Sequence, residues 1–369
     1  MSASLIERIR AEIGARGPVR LDRFWNLALF DPAEGYYATR EPFGSAGDFV
    51  TAPEISQMFG ELLGAWALAA WRELGAPSPF VFAEIGPGRG TLMADMLRTA
   101  ARLDGAFLRA ARVRLVETSD RLAALQLSTL SRFDLPVVRH RRWSEVEALL
   151  AIVVANEWLD AVAIRQLVFE AGAWRERFVA ANADGSLRFR CGDALRHVPV
   201  ALAALPAPQE GDVFEVSPER ERLVAEMAAD LSRRGGAALL VDYGHPAPGF
   251  GDTLQALRRH AFAEVLAEPG RADITSHVDF SALRAVAQAA GLPSAGLTTQ
   301  GRFLLDLGLV ERAGRLGASA DESGRAALTA AVRRLAGDGH GEMGDLFKVL
   351  AIASAPLSLP PFEVATTFR

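Results

Sequence analysis

The stretch Phe80 to Leu97, FVFAEIGPGRGTLMADML, decides how the rest of the chain is read. An apolar run, Phe80 to Ile85, meets glycines at Gly86, Gly88 and Gly90, then passes into a helical pattern with Leu92, Met93, Met96 and Leu97 apolar. That order predicts strand, tight loop and helix. Glycines let the backbone pass close beneath a ligand, and the free N–H groups of a first helical turn attract a carboxylate or another anion. The spacing is G-x-G-x-G, not the dinucleotide G-x-G-x-x-G, and Glu84 stands two residues before the first glycine. No G-K-S or G-K-T triplet occurs, which excludes a phosphate-binding P-loop. An acid before the loop suits a ligand with positive charge. S-adenosylmethionine has an ammonium and a sulfonium, with a carboxylate for the helix end. An ordinary glycine-rich turn is the competing reading of this motif alone.

Downstream, the pattern alternates as a doubly wound α/β protein should. Val113 to Val116 reads as a second strand ended by Glu117, about 30 residues after the first glycine, where an acid can hold both hydroxyls of an adenosine ribose. A short strand near Val137 and Val138 and a fourth, Ile152 to Ala155, follow, the latter ending in Asn156, Glu157, Trp158, Leu159, Asp160 and Ala161. Ligands of open α/β sheets sit outside the carboxyl ends of the strands, so Asn156 and Glu157 should face the cleft of Gly86 to Gly90. Asn156 offers a donor and an acceptor, while Glu157 and Asp160 suit a cationic methyl acceptor. The competing role for Asn156 or Asp160 is a helix cap.

Residues 164 to 190 alternate apolar and polar in two runs with turn signals at Gly172 and at Asp184 and Gly185, which predicts inserted antiparallel strands. Gly236 to Val241 is a central strand, followed by a second insertion near 245–280; His260 and His277 within it invite a catalytic reading, against which a lone histidine is more often a hydrogen-bonded structural residue. The last strands fall near Gly296 to Thr299 and Leu346 to Ser354, with helices at Arg302 to Leu309 and Ser323 to Ala336. Upstream of the glycine loop, amphipathic helices at residues 4–13 and from Leu21 precede a long aromatic loop, and a helix follows Ser56. The expected organisation is a helical and loop extension over 1–78, a first core half over 79–160, a hairpin-bearing insertion over 161–235 and a second core half over 236–369.

The composition sets outer bounds. With 369 residues, half of them hydrophobic, the chain can bury a large core. A net charge of −5 gives no reason to expect nucleic acid or membrane insertion. Lys348 is the single lysine, a bias that reads as genome composition. One cysteine, Cys191, precludes an intramolecular disulfide framework, and scattered histidines without Cys partners argue against a zinc site. No apolar run is long enough to span a bilayer and the N-terminus lacks a signal-like apolar region, so a cytoplasmic protein is expected.

Motifs spread along the chain resemble those of the MidA family, the bacterial relatives of the mitochondrial complex I assembly factor with arginine methyltransferase activity. They are GYY at 35–37, GDFVTAPEISQMFGE at 47–61, EIGPGRGTLMADML at 84–97, NEWLDA at 156–161, DYGH at 242–245, DITSHVDF at 273–280 and GDLFKVL at 344–350. The resemblance implies a class I methyltransferase fold, Rossmann-like, with a doubly wound mixed sheet, an N-terminal helical extension and inserted antiparallel strands. It implies that Glu84, Gly86, Gly88, Gly90 and Glu117 bind S-adenosyl-L-methionine, with Pro87, Thr118 and Asn156 beside them. Asn156 and Glu157 would adjoin the acceptor, Glu157 being the first choice for contacting it and Asp160 and Asp48 standing behind. The implied partner is a protein substrate such as a respiratory complex subunit, with a homodimer as a further possible assembly. A cofactor-binding assembly factor with little catalysis and a small-molecule methyltransferase are the alternatives.

Overall fold

The computed structural model describes residues 3–39 and 51–362. Contacts group the chain into two units, one of Met1–Phe49, Leu159–Arg222 and Ala247–Asp279, the other of Val50–Trp158, Leu223–Pro246 and Phe280–Arg369.

The second unit is built on a sheet whose strands include β1 (Phe80–Ile85), β2 (Ala111–Val116), β3 (Val137–His140), β4 (Ala151–Asn156), β5 (Gly236–His245), β6 (Ser294–Thr299) and β7 (Phe347–Ala353). Their spatial order is β6-β7-β5-β4-β1-β2-β3. Strands β3, β2, β1, β4 and β5 pair in parallel, while β7 runs antiparallel to both β5 and β6. The order reverses around β1 and β4, which creates a switch point between two adjacent strand ends. Every residue of β1, β4 and β7 is buried, as expected for strands covered on both faces, which read as continuous apolar runs instead of alternating ones.

Two helices that cover this sheet meet unusually closely. In the helix Gln57–Glu73, a Cβ at Gly64 would lie 2.8 Å from the Cα of Met96 in the helix Thr91–Leu103. Only glycine permits that approach. The helix that sequence reasoning placed in the N-terminal extension therefore packs in the sheet unit, through Phe59, Leu63 and Trp66 as well. Ser56 caps it, its side chain accepting from the Met58 N–H at 3.2 Å. Near the C-terminus the expected helix Arg302 to Leu309 is divided. Gly308, at φ 89°, separates Gln300–Asp306 from a further helix, Leu309–Gly317.

The first unit has its own core, with Leu5, Ile9, Phe24, Trp25, Leu29, Tyr36, Ile164, Val179 and Ile274 buried together. Trp25 donates its indole N–H to the Ala161 carbonyl at 2.8 Å. The predicted inserted strands are Arg165–Glu170, Ala173–Ala181 and Leu187–Ala194, an antiparallel meander, with Val213–Val216 on the far side of the first. Among the described residues no helix is long and apolar enough to cross a membrane.

Candidate cofactor site

In register, Ile85 of β1 faces Val116 of β2 on one side and Ala155 of β4 on the other. Gly86, Glu117 and Asn156, the next residues along each strand, therefore assemble at the carboxyl edge of the sheet. All belong to the sheet unit.

The loop after β1 is shaped by its glycines, at φ 65°, 51° and 81° for Gly86, Gly88 and Gly90. These are values that residues with a Cβ rarely adopt. The Gly86 N–H extends the ladder to the Val116 carbonyl at 3.0 Å, and Gly90 turns back to donate to the Pro87 carbonyl at 2.7 Å. Trp158 closes over the start of the loop, so a Cβ at Gly86 would stand 3.3 Å from its ring.

Glu84 lies inside β1 and is 2% exposed. Burial raises its carboxyl pKa to about 8, a hydrogen bond from the Met93 backbone N–H works against that, and the nearby Asp95 adds to it. Its Oε2 has no hydrogen-bond partner. The group that sequence reasoning treated as a ready anion is thus largely neutral at pH 7 until something supplies positive charge.

Glu117 is furnished differently. Oε1 accepts from the Ser119 N–H at 2.7 Å and Oε2 from Nε2 of Gln126 at 3.0 Å. Burial raises its pKa, but these two bonds and the neighbouring Arg139 pull it back. The same Gln126 Nε2 donates to the Gly88 carbonyl at 2.9 Å, so one fully buried amide ties the glycine loop to the acid at the end of β2. Arg139 fixes the backbone of that acid, donating from Nε to the Glu117 carbonyl at 2.7 Å and from Nη2 to the Thr118 carbonyl at 3.0 Å. Arg141 also donates to the Thr118 carbonyl, at 3.0 Å. Thr118 is exposed and serves here through its backbone. Sequence reasoning missed Gln126 and Arg139. The available signal for Gln126 was a polar residue in the buried stripe Leu122, Ala123, Gln126, Leu130 of its helix.

At the end of β4, Asn156 donates from Nδ2 to Oε1 of Glu157 at 3.0 Å, and its own Oδ1 is buried without a partner. The Oε1 atom of Glu157 also accepts from the Ala52 N–H at 3.1 Å. Asp160 falls in the other unit, where it is buried and its Oδ1 accepts from the Ala161 N–H at 2.8 Å. No helix begins at that point, so it is not a helix cap. Asp48 lies outside the described residues.

These features can be tested against S-adenosylmethionine. Three buried acceptors here have no hydrogen-bond partner, Glu84 Oε2, Asn156 Oδ1 and Gln126 Oε1, which calls for a ligand rich in donors, and an ammonium offers three donors and no acceptor. A carboxylate has about four acceptor sites, so Glu117 keeps capacity for ribose hydroxyls after its two protein bonds. The residues fit the cofactor.

Comparisons with known proteins agree. Residues 62–298 match the family described as "Putative S-adenosyl-L-methionine-dependent methyltransferase". The chain is 37% identical over 331 residues to the mitochondrial protein arginine methyltransferase NDUFAF7 homolog of Drosophila melanogaster, covering 82% of this chain and 74% of that protein. It is 34% identical over 353 residues to NDUFAF7 of Danio rerio, covering 89% and 82% respectively. Among solved structures it resembles a Burkholderia thailandensis superfamily member bound to S-adenosyl-homocysteine, with TM-score 0.83, 31% identity and coverage of 95% of this chain and 91% of that one.

Proposed function

The chain belongs to the S-adenosyl-L-methionine-dependent methyltransferase family whose model spans residues 62–298, and on that premise we propose that its acceptor is an arginine side chain of a partner protein. The observation that carries this reading is that relatives named as protein arginine methyltransferases align over more than four-fifths of the chain. A subunit of a respiratory complex is the partner we favour, following the motifs shared with the MidA family. Free Cys191 accords with the reducing cytoplasm in which we place the protein.

The cofactor supplies an electrophilic methyl group on a sulfonium. The protein's share is positional. Glu84 and Asn156 take the donors of the ammonium, Glu117 takes the ribose hydroxyls, and Gln126 holds the two halves of that cradle in register. Holding donor and acceptor in line accounts for much of the acceleration such sites achieve. A guanidinium, with a pKa above 12, must lose a proton as its nitrogen forms the new bond, so a nearby acceptor for that proton is required.

The test is transfer of labelled methyl from S-adenosylmethionine into a lysate of cells lacking the gene, with Gly88→Val as the control. Methylarginine in a discrete labelled protein, absent with Gly88→Val, is the expected result. Label in a free metabolite would favour a small-molecule methyltransferase. Binding of the cofactor without any labelled product would favour an assembly factor.

A further inference from the structure

Five described non-glycine residues have positive φ, all in connections between elements, and only Glu157 of these stands at the carboxyl edge of the parallel sheet. Glu157 has φ 49° and follows Asn156, the last residue of β4. A residue with a Cβ holds that conformation only where its surroundings enforce it, and such positions concentrate at functional sites. Two restraints are visible. The Glu157 N–H donates to the Val241 carbonyl at 2.9 Å, carrying the β4–β5 ladder one residue past the strand. Its Oε1 accepts both the Asn156 amide at 3.0 Å and the Ala52 backbone N–H at 3.1 Å.

Each bond has a consequence for the cofactor site. A carboxylate can only accept, so the Asn156 side chain must turn Nδ2 toward Glu157. Oδ1 is then the atom left for a ligand, and it is the buried acceptor without a protein partner. The other bond holds the first residue of the helical turn Ala52–Ile55. The same turn is held again by Glu54, whose Oε1 accepts from the Thr91 hydroxyl at 2.8 Å, and Thr91 opens the helix after the glycine loop. The turn therefore joins the end of β4 to the end of the glycine loop.

We propose that Glu157 is a positioning residue, which sets the amide of Asn156 and seats the turn Ala52–Ile55 beside the glycine loop, and that it does not take the proton of the methyl acceptor. The inference rests on the cofactor site described above and is independent of the acceptor's identity. Glutamine at 157 retains an oxygen able to accept both bonds but has no basic carboxylate. Alanine retains neither.

The test compares Glu157→Gln and Glu157→Ala in the full-length protein. Affinity for S-adenosylmethionine is read by calorimetry with no acceptor present, and methyl transfer is read with labelled cofactor and lysate at pH 6 to 9. The expected result is cofactor affinity within about threefold of wild type for the glutamine variant, with transfer within about fivefold and an unchanged pH profile. Weakening of about tenfold or more is expected for alanine, seen as a raised KM for the cofactor more than as a lowered kcat. Two results overturn the proposal. One is a glutamine variant that binds the cofactor normally but transfers a hundredfold more slowly. The other is an alanine variant, folded by circular dichroism, whose cofactor affinity is unchanged. Should alanine prevent folding, the glutamine arm alone decides. If wild type labels no protein at all, the arginine reading fails while the affinity comparison still judges Glu157.

Discussion

Glu84, inside β1, and Glu117, directly after β2, lie on adjacent parallel strands, both acids, both buried, and their oxygens are furnished differently. Glu84 receives one backbone hydrogen bond, faces Asp95 and keeps Oε2 unpaired, so its pKa is pushed up to about 8. Glu117 has a donor on each oxygen and an arginine nearby, which partly oppose its burial, so its pKa is raised as well. Burial raises both carboxyl groups, and the donors and charges around each set how far. On the proposed reading, the unpaired Oε2 of the first acid meets a donor of the cation, and the second, with both oxygens already hydrogen-bonded, meets neutral hydroxyls.

The largest effect should come from breaking the loop between them. Gly88 holds φ 51° and its carbonyl accepts from Gln126, so Gly88→Val is expected to abolish cofactor binding, a loss of at least a hundredfold by calorimetry, with the fold retained by circular dichroism. Glu117→Ala removes charge-assisted bonds worth about 1.5–3 kcal/mol each and should weaken binding at least tenfold in the same measurement. Unchanged affinity there would break the assignment of the ribose end.

Glu84 makes a prediction of stability. Its folded-state pKa lies above the ordinary value of 4.5, so the folded protein retains a proton that the unfolded chain has released. That contribution is fully present below pH 4.5 and is lost as pH rises through about 8, amounting to about 3 kcal/mol by pH 7. Glu84→Gln keeps an acceptor for the Met93 N–H and should flatten this decline, raising stability near neutrality in urea titrations at pH 5 and 7.5. Parallel pH dependence in both proteins would contradict the account. The smallest effect should be that of Arg139→Ala. It frees the carbonyls of Glu117 and Thr118, one of which Arg141 still holds, so a few-fold loss of cofactor affinity is expected.

Much of the site was legible before the structure because its signals are local. The apolar run Phe80–Ile85, the three glycines, Glu84 within that run and Glu117 after β2 declare themselves by spacing alone. What stayed hidden depends on contacts between distant parts of the chain. Gly60 and Gly64 look like weak points in a helix until Asp95 and Met96 are seen against them, which is why that helix was grouped with the extension. Gln126 reads as an irregularity on an apolar stripe until Gly88 and Glu117 are found on either side of its amide. Glu157 looks like a free acid, and only the fold brings the Ala52 N–H to it. Gly308 gives no local sign that it divides two helices and does not simply end one.

One calorimetric experiment tests the contrast at the centre of this account. S-adenosylmethionine is titrated into the protein at pH 6.5 in two buffers of different ionisation enthalpy, a pH at which the ligand's amino group is still charged. If Glu84 is neutral in the free protein and ionises to meet the ammonium, binding releases a proton, and the observed heat differs between buffers for wild type but not for Glu84→Gln. Saturable binding with the same heat in both buffers would contradict it.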